Sequence, residues 1–302
     1  MSHEHNHRSA NTTRLVIALA ITASVLVVEV IGAAISGSLA LLADAGHMGS
    51  DVLALIIALL ASTVAARPAT DRQTFGFQRA EVLGALANGL LLTGVAIFIG
   101  IEGVRRLIEP GRADVAALPM LVVAAIGLIA NVAALVVLRG GASTSINLRA
   151  AYLEVLGDAL GSVAAIVAGA VMLLTGFVQA DAIASLVIAA LIVPRAVSLL
   201  RDVIRVLSES VPRGTSVAEI REHLLATDGV VGVHDVHVWA ITSGAPVFTA
   251  HVIVDPAVFA QGKAGGLLDE LSVCLSEHFD VAHSTFQLEP AGREHLETEH
   301  HD

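Results

Sequence analysis

Six apolar runs constrain this chain more than any other feature. They cover residues 15–36, 39–64, 82–107, 115–138, 148–176 and 180–207 of 302. A helix rises about 1.5 Å per residue and the hydrocarbon core of a bilayer is about 30 Å thick, so about 20 apolar residues suffice to cross it. Every run reaches that length. Mean hydropathy is +0.77 although aromatics make up only 3% of residues, so the apolar content is Ala, Val, Leu and Ile in long blocks. That composition excludes a disordered chain and an ordinary soluble enzyme. One cysteine, Cys274, excludes an intramolecular disulfide and a cysteine-based metal cluster within one chain, and reads as a small core residue.

The expected fold is a membrane α-helical bundle of six transmembrane helices followed by a small cytoplasmic α+β domain. Short links make the first two runs and the last two helical hairpins. The first run follows a polar, His-rich start and leads directly into a second, so it is expected to remain as a span rather than be cleaved as a signal peptide. With the N-terminus inside, the cytoplasmic segments hold Arg8, Arg14, Arg67, Arg72, Arg79, Arg139, Arg149, Arg201 and Arg205, against Arg105, Arg106 and Arg112 outside. The excess of positive charge places both termini in the cytoplasm. Beyond residue 208 the pattern predicts a helix over 217–226, strands over 230–241 and 246–254, a helix over 266–279 and a strand over 284–288, in the order α-β-β-α-β. The expected divisions are a His-rich tail over 1–13, the membrane domain over 14–207, the α+β domain over 208–290 and a disordered acidic tail over 291–302. Residues 1–207 are charge-neutral, so the net charge of −11 falls on the last 95 residues, with nine of the 13 histidines. An acidic, His-rich domain suits cations and not nucleic acid.

Ionisable residues inside membrane spans are costly and therefore point to function. The second run contains His47 and Asp51; the fifth contains Glu154 and Asp158. Each pair is four residues apart and shares one helix face. Two helices with two ligands each make a four-coordinate cage of one imidazole and three carboxylates, which suits Zn²⁺. Three carboxylates in lipid must be protonated, hydrated or neutralised by a cation, so protons and metal compete for the same lone pairs. The site is a proton–metal exchanger on electrostatic grounds. Asp44 lies near the same face as a secondary candidate. Glu29 reads as a proton-access or orienting residue, and Asn88 and Asn131 as polar packing between helices. Gly157 and Gly161 read as small positions that let the second and fifth spans approach closely. The terminal segments His3-Glu-His-Asn-His7 and 294–302 carry no assigned site.

At these residues the chain resembles the cation diffusion facilitator family of zinc-exporting proton antiporters. The matching stretches are 39–51, 74–81, 147–162 and His237-Val-Trp239. The resemblance implies six membrane helices, a metallochaperone-like cytoplasmic domain, a homodimer, and export of a divalent metal against inward proton flow through the quartet His47, Asp51, Glu154 and Asp158. It further implies a cytoplasmic metal site from His237, His251, His283 and Glu289, with His234 as an additional candidate. His278, near a helix C-terminus, reads instead as a helix-dipole partner. Two departures stand out. Glu154 replaces the His of the commonest zinc pattern, and a harder donor widens selectivity toward Cd²⁺, Co²⁺ or Mn²⁺. The loop over 67–80 has no His, so no metal site is expected there.

No enzymatic chemistry is expected, since no span carries His-Glu-x-x-His and no P-loop occurs. The competing reading is a metal-gated channel or membrane metal sensor using the same ligands. A closed four-ligand site fits carrier kinetics better, because a channel needs weak, multi-site binding. The expected location is a cell inner membrane.

Overall fold

The computed structural model describes residues 2–109, 114–139, 146–242, 244–279, 281 and 283–292. The chain divides into two compact units, residues 1–57 with 87–199 and residues 58–86 with 200–302. Six long helices appear: α1 (Ser2–Ser36), α2 (Leu39–Ala65), α3 (Arg79–Ile108), α4 (Ala117–Arg139), α5 (Ile146–Thr175) and α6 (Gln179–Leu207). Each contains a stretch long and apolar enough to cross a membrane. The helix α1 begins ahead of its apolar run, so residues 2–13 continue its backbone.

In the first unit the buried core is built largely from alanine. Ala33, Ala40, Ala43, Ala96, Ala124, Ala165, Ala168, Ala184, Ala189 and Ala196 line the interior with Leu39, Leu41, Ile99 and Met120. Lipid gives helices no hydrophobic reason to associate, so small side chains that allow close backbone approach hold them. Large apolar residues such as Leu55, Ile56, Ile97, Ile129 and Leu174 point outward.

The start of α2 is fixed by a residue from another helix. Asp181, buried in the first turn of α6, accepts from Ser38 Oγ at 2.5 Å, Leu39 N at 2.8 Å and Ala40 N at 3.1 Å. The two amides are backbone donors that a helix leaves unpaired at its N-terminus, and Ser38 adds its hydroxyl. Arg106 lies 3.5 Å from the same carboxylate and donates to the Gly37 carbonyl at 2.8 Å. The clamp sets where α2 begins, and with it the positions of His47 and Asp51 further along.

The second unit contains α7 (Val217–Leu225), β1 (Val230–Ala240), β2 (Pro246–Val254), α8 (Pro256–Ala260), α9 (Ala264–Phe279) and β3 (His283–Pro290). Ser216 caps α7 by accepting from Glu219 N, as its position ahead of the apolar stripe predicts. The sheet order is β1-β2-β3; β1 and β2 are antiparallel, β2 and β3 parallel. Parallel strands need a crossover, and α8 with α9 supply it. The short α8 was not expected. Asp255 caps it, accepting from Ala257 N at 2.8 Å, and Pro256 occupies its first turn. Ile220 and Leu224 of α7 and Leu267, Leu271 and Leu275 of α9 pack on Phe248, Ala250 and Val252, leaving the other sheet face for polar side chains. Cys274 is only half-buried and stands beside this core rather than in it, a correction to its expected place. The acidic tail expected over 291–302 lies outside the described residues beyond Gly292.

Candidate metal centre

The quartet converges in the first unit. His47 Nε2 lies 3.6 Å from Asp51 Oδ2, 3.4 Å from Glu154 Oε1 and 3.9 Å from Asp158 Oδ1. A tetrahedron with metal–ligand bonds of about 2.0–2.2 Å has donor–donor edges of about 3.3–3.6 Å. The Asp51 and Glu154 separations suit donors around one small divalent ion, and these two with His47 lie within 4.8 Å of one another; Asp158 faces His47 from outside that group and would have to close in. His47 and Asp158 are buried; Asp51 and Glu154 are half-buried.

A fifth group, Arg195, lies at the centre and was missed in the sequence. Its Nη1 donates to Glu154 Oε1 at 2.6 Å and lies 2.9 Å from His47 Nε2. Guanidinium is donor-only, so Nε2 accepts and the imidazole carries its proton on Nδ1. Arg195 thus engages the lone pair that a metal would use. The signal was present in the sequence: an arginine in the middle of an apolar run, directly after Pro194.

Two glycines of α5 make room for this arrangement. A Cβ on Gly157 would sit 3.2 Å from Arg195 Nη2, and one on Gly161 would sit 2.7 Å from Asp44 Oδ1. Gly161 therefore lets α2 approach α5 at Asp44, as expected of small residues there. Asp44, Glu29 and Asn131 are all buried, and Asn131 Nδ2 lies 3.5 Å from Ser162 Oγ. Asn88 is half-buried.

Of the five candidates in the second unit, three stand together. His234, His251 and Glu289 bring donor atoms within 4.8 Å of one another. His251 Nδ1 is 2.9 Å from Glu289 Oε1, and His234 Nε2 is 3.5 Å from Glu289 Oε2. Each of the three strands supplies one donor. His234 pairs directly with His251, and His237 with Thr249. A regular strand would turn His234 and His237 to opposite faces, since they are an odd number of residues apart. A bulge between them, with Asp235 at φ 48°, adds one residue and returns both to the outer face. His237 stays outside the trio, one pairing step away. His283 is exposed opposite Val247, whereas Glu289 lies opposite Ile253. Six residues of strand, about 20 Å, separate those two positions. The trio of two imidazoles and a carboxylate fits Zn²⁺ or a similar ion.

Comparison with known proteins gives the ancestry of this arrangement. Residues 15–208 match the cation efflux transmembrane domain, and residues 212–291 match the cytoplasmic domain of cation efflux proteins. The chain belongs to the cation efflux family. It is 42% identical to the metal cation efflux system protein CzcD of Cupriavidus metallidurans, covering 99% of this chain and 93% of that protein. It is 39% identical to the zinc transporter ZitB of Escherichia coli, covering 96% and 93%. It is 35% identical to the cadmium, cobalt and zinc/H(+)-K(+) antiporter of Bacillus subtilis, covering 98% and 94%. This member of the family is thus an integral membrane protein of a cation-transporting type.

Proposed function

We propose that this protein exports Zn²⁺, or a related divalent transition-metal ion such as Cd²⁺, Co²⁺ or Mn²⁺, from the cytoplasm in exchange for protons. The observation that carries the reading is the meeting of His47, Asp51 and Glu154 within 4.8 Å of one another, with Asp158 3.9 Å from His47 as the fourth donor that closes on an ion. The names of the Escherichia coli and Bacillus subtilis relatives, a zinc transporter and a proton-linked antiporter, support it.

Charge balance supplies the coupling. Three carboxylates and the guanidinium of Arg195 leave the site with two formal negative charges. One divalent ion neutralises them, and so do two protons. Leaving them uncompensated in a low-dielectric interior is costly, so the loaded carrier and the protonated carrier are the forms that reorient. Arg195 holds Glu154 and the His47 lone pair until metal arrives. Rocking of helices around this fixed site switches access between the two faces. The arginine bias supports cytoplasmic termini, and the membrane is taken to be a cell inner membrane. A homodimer is proposed from the family's cytoplasmic domain, whose trio His234, His251 and Glu289 would hold a resident metal ion.

The test is transport in reconstituted vesicles. Zn²⁺ accumulation should require an imposed pH gradient, and Asp51→Ala or Asp158→Ala should abolish it. Flux that ignores the pH gradient and fails to saturate would instead support the channel reading.

A further inference from the structure

The helix layer of the C-terminal domain holds a third convergence of ligating side chains, separate from both clusters above. His223 on α7 and Cys274 and His278 on α9 offer donor atoms within 4.8 Å of one another. The buried stripe of α9 is Leu267, Leu271 and Leu275, and Cys274 and His278 flank it four residues apart, on one face. The buried stripe of α7 is Ile220 and Leu224, and His223 flanks it in the same way. Where the two helices pack, these flanks meet.

The local geometry is that of ligands held in place. His223 Nδ1 lies 3.9 Å from Cys274 Sγ, close to the edge of about 3.6 Å between nitrogen and sulfur donors on a tetrahedral zinc ion. The rings of His223 and His278 are 5.1 Å apart, and Phe279 stands edge-on to His223 at 5.2 Å. His278 Nδ1 lies 3.1 Å from the Cys274 carbonyl oxygen. A carbonyl only accepts, so Nδ1 donates and Nε2 keeps its lone pair. A backbone carbonyl on one ring nitrogen is how proteins commonly orient a ligating histidine.

We propose that His223, Cys274 and His278 form an additional metal site, taking a borderline-soft divalent ion of the Zn²⁺, Cd²⁺ or Co²⁺ class, with water completing its shell. One thiolate and two imidazoles favour that class over Mg²⁺ or Ca²⁺, which take oxygen ligands. The site is independent of the His234–His251–Glu289 trio, because the sheet and its apolar core lie between them. An ion here ties α7 to α9. A free thiol holds its proton at neutral pH and the metal takes the thiolate; Glu270 and Glu277 lie near enough to act on Cys274. Binding therefore releases a proton and weakens as pH falls. The same two acidic side chains attract the incoming cation.

The chain has a single cysteine, which makes the test specific. Co²⁺ titrated into the purified full-length protein should produce a thiolate-to-metal charge-transfer band whose final amplitude corresponds to one thiolate-bound ion per chain. Cys274→Ser should remove the band. His223→Gln and His278→Gln should each weaken Co²⁺ affinity at this band by at least about 10–100-fold, the loss that follows even from disturbing the groups that orient a ligand. Asp51→Ala and His251→Ala should leave it intact. Bound Zn²⁺ should also slow alkylation of Cys274. No band, or a band unchanged in both histidine variants, overturns the proposal; the second result would mean that sulfur binds alone or bridges two copies.

Discussion

The quartet and the C-terminal trio share donor chemistry but are assembled by different backbones. In the quartet each helix contributes two donors, and helical periodicity alone aligns each pair. Only the facing of α2 and α5 remains to be supplied, and small residues such as Gly161 permit it. In the trio each strand contributes one donor, so alignment depends on strand register and on one irregular residue, Asp235. A helix-built site is therefore legible pair by pair, whereas a sheet-built site appears only once the strands are in register. The quartet also contains its own cation, Arg195, while two of the trio's three donors are imidazoles and its one carboxylate is Glu289. On the proposed reading the quartet is a cargo site, which must release its ion and would gain from a built-in competitor, whereas the trio would hold a resident ion and gain nothing from one.

This contrast can be tested at its sharpest point first. Arg195→Leu removes the competing cation and leaves the site more negative, so Zn²⁺ should bind the quartet more tightly. The expected gain is about 5–150-fold, the range of coupling free energies of about 1–3 kcal/mol. Turnover in vesicles should fall at the same time, because release becomes limiting. Weaker binding, read by calorimetry on the purified protein, would make Arg195 a scaffold and erase the distinction.

The next effect is confined to the trio. His234→Ala and His251→Ala should each weaken metal retention by the C-terminal domain by about 10–100-fold. His283→Ala should leave it unchanged, since that residue lies at the far end of β3. Metal content after dialysis against a weak chelator reads the difference. Equal losses from all three variants would restore the set implied by resemblance.

The smallest effect tests the bulge. Asp235 has φ 48°, a region that asparagine, aspartate and glycine tolerate and β-branched residues resist. Asp235→Val should cost about 1–3 kcal/mol of domain stability. Asp235→Gly should be close to neutral for stability, while removing the carboxylate 3.2 Å from His234 Nδ1 should loosen metal retention. Metal retention should follow stability in the valine variant, because His234 loses its place opposite His251. Unchanged melting and metal retention would show that strand pairing, and not the bulge, places His234.

Much of the architecture was open to reading before any coordinates. Six spans follow from run length against bilayer thickness, and the strand and helix order of the C-terminal domain follows from periodicity and turn residues. The crossover helix α8 escaped because five residues are too short to show a helical period, although Asp255-Pro256 signals its start. Arg195 has no ligating residue three or four positions away on its own helix, so its spacing gives no sign of Glu154 and His47, which lie on other helices. Asp181 escaped because its partners, the first backbone groups of α2, carry no sequence signature.

By itself, then, the sequence determined which donors share a helix face, since a period of 3.6 residues is a local property of the backbone. Tertiary structure decided what those faces meet: Arg195 against Glu154, Asp181 on the start of α2, His234 across from His251. Contacts between residues far apart in the chain depend on packing and register. Neither is encoded by the spacing within any one segment.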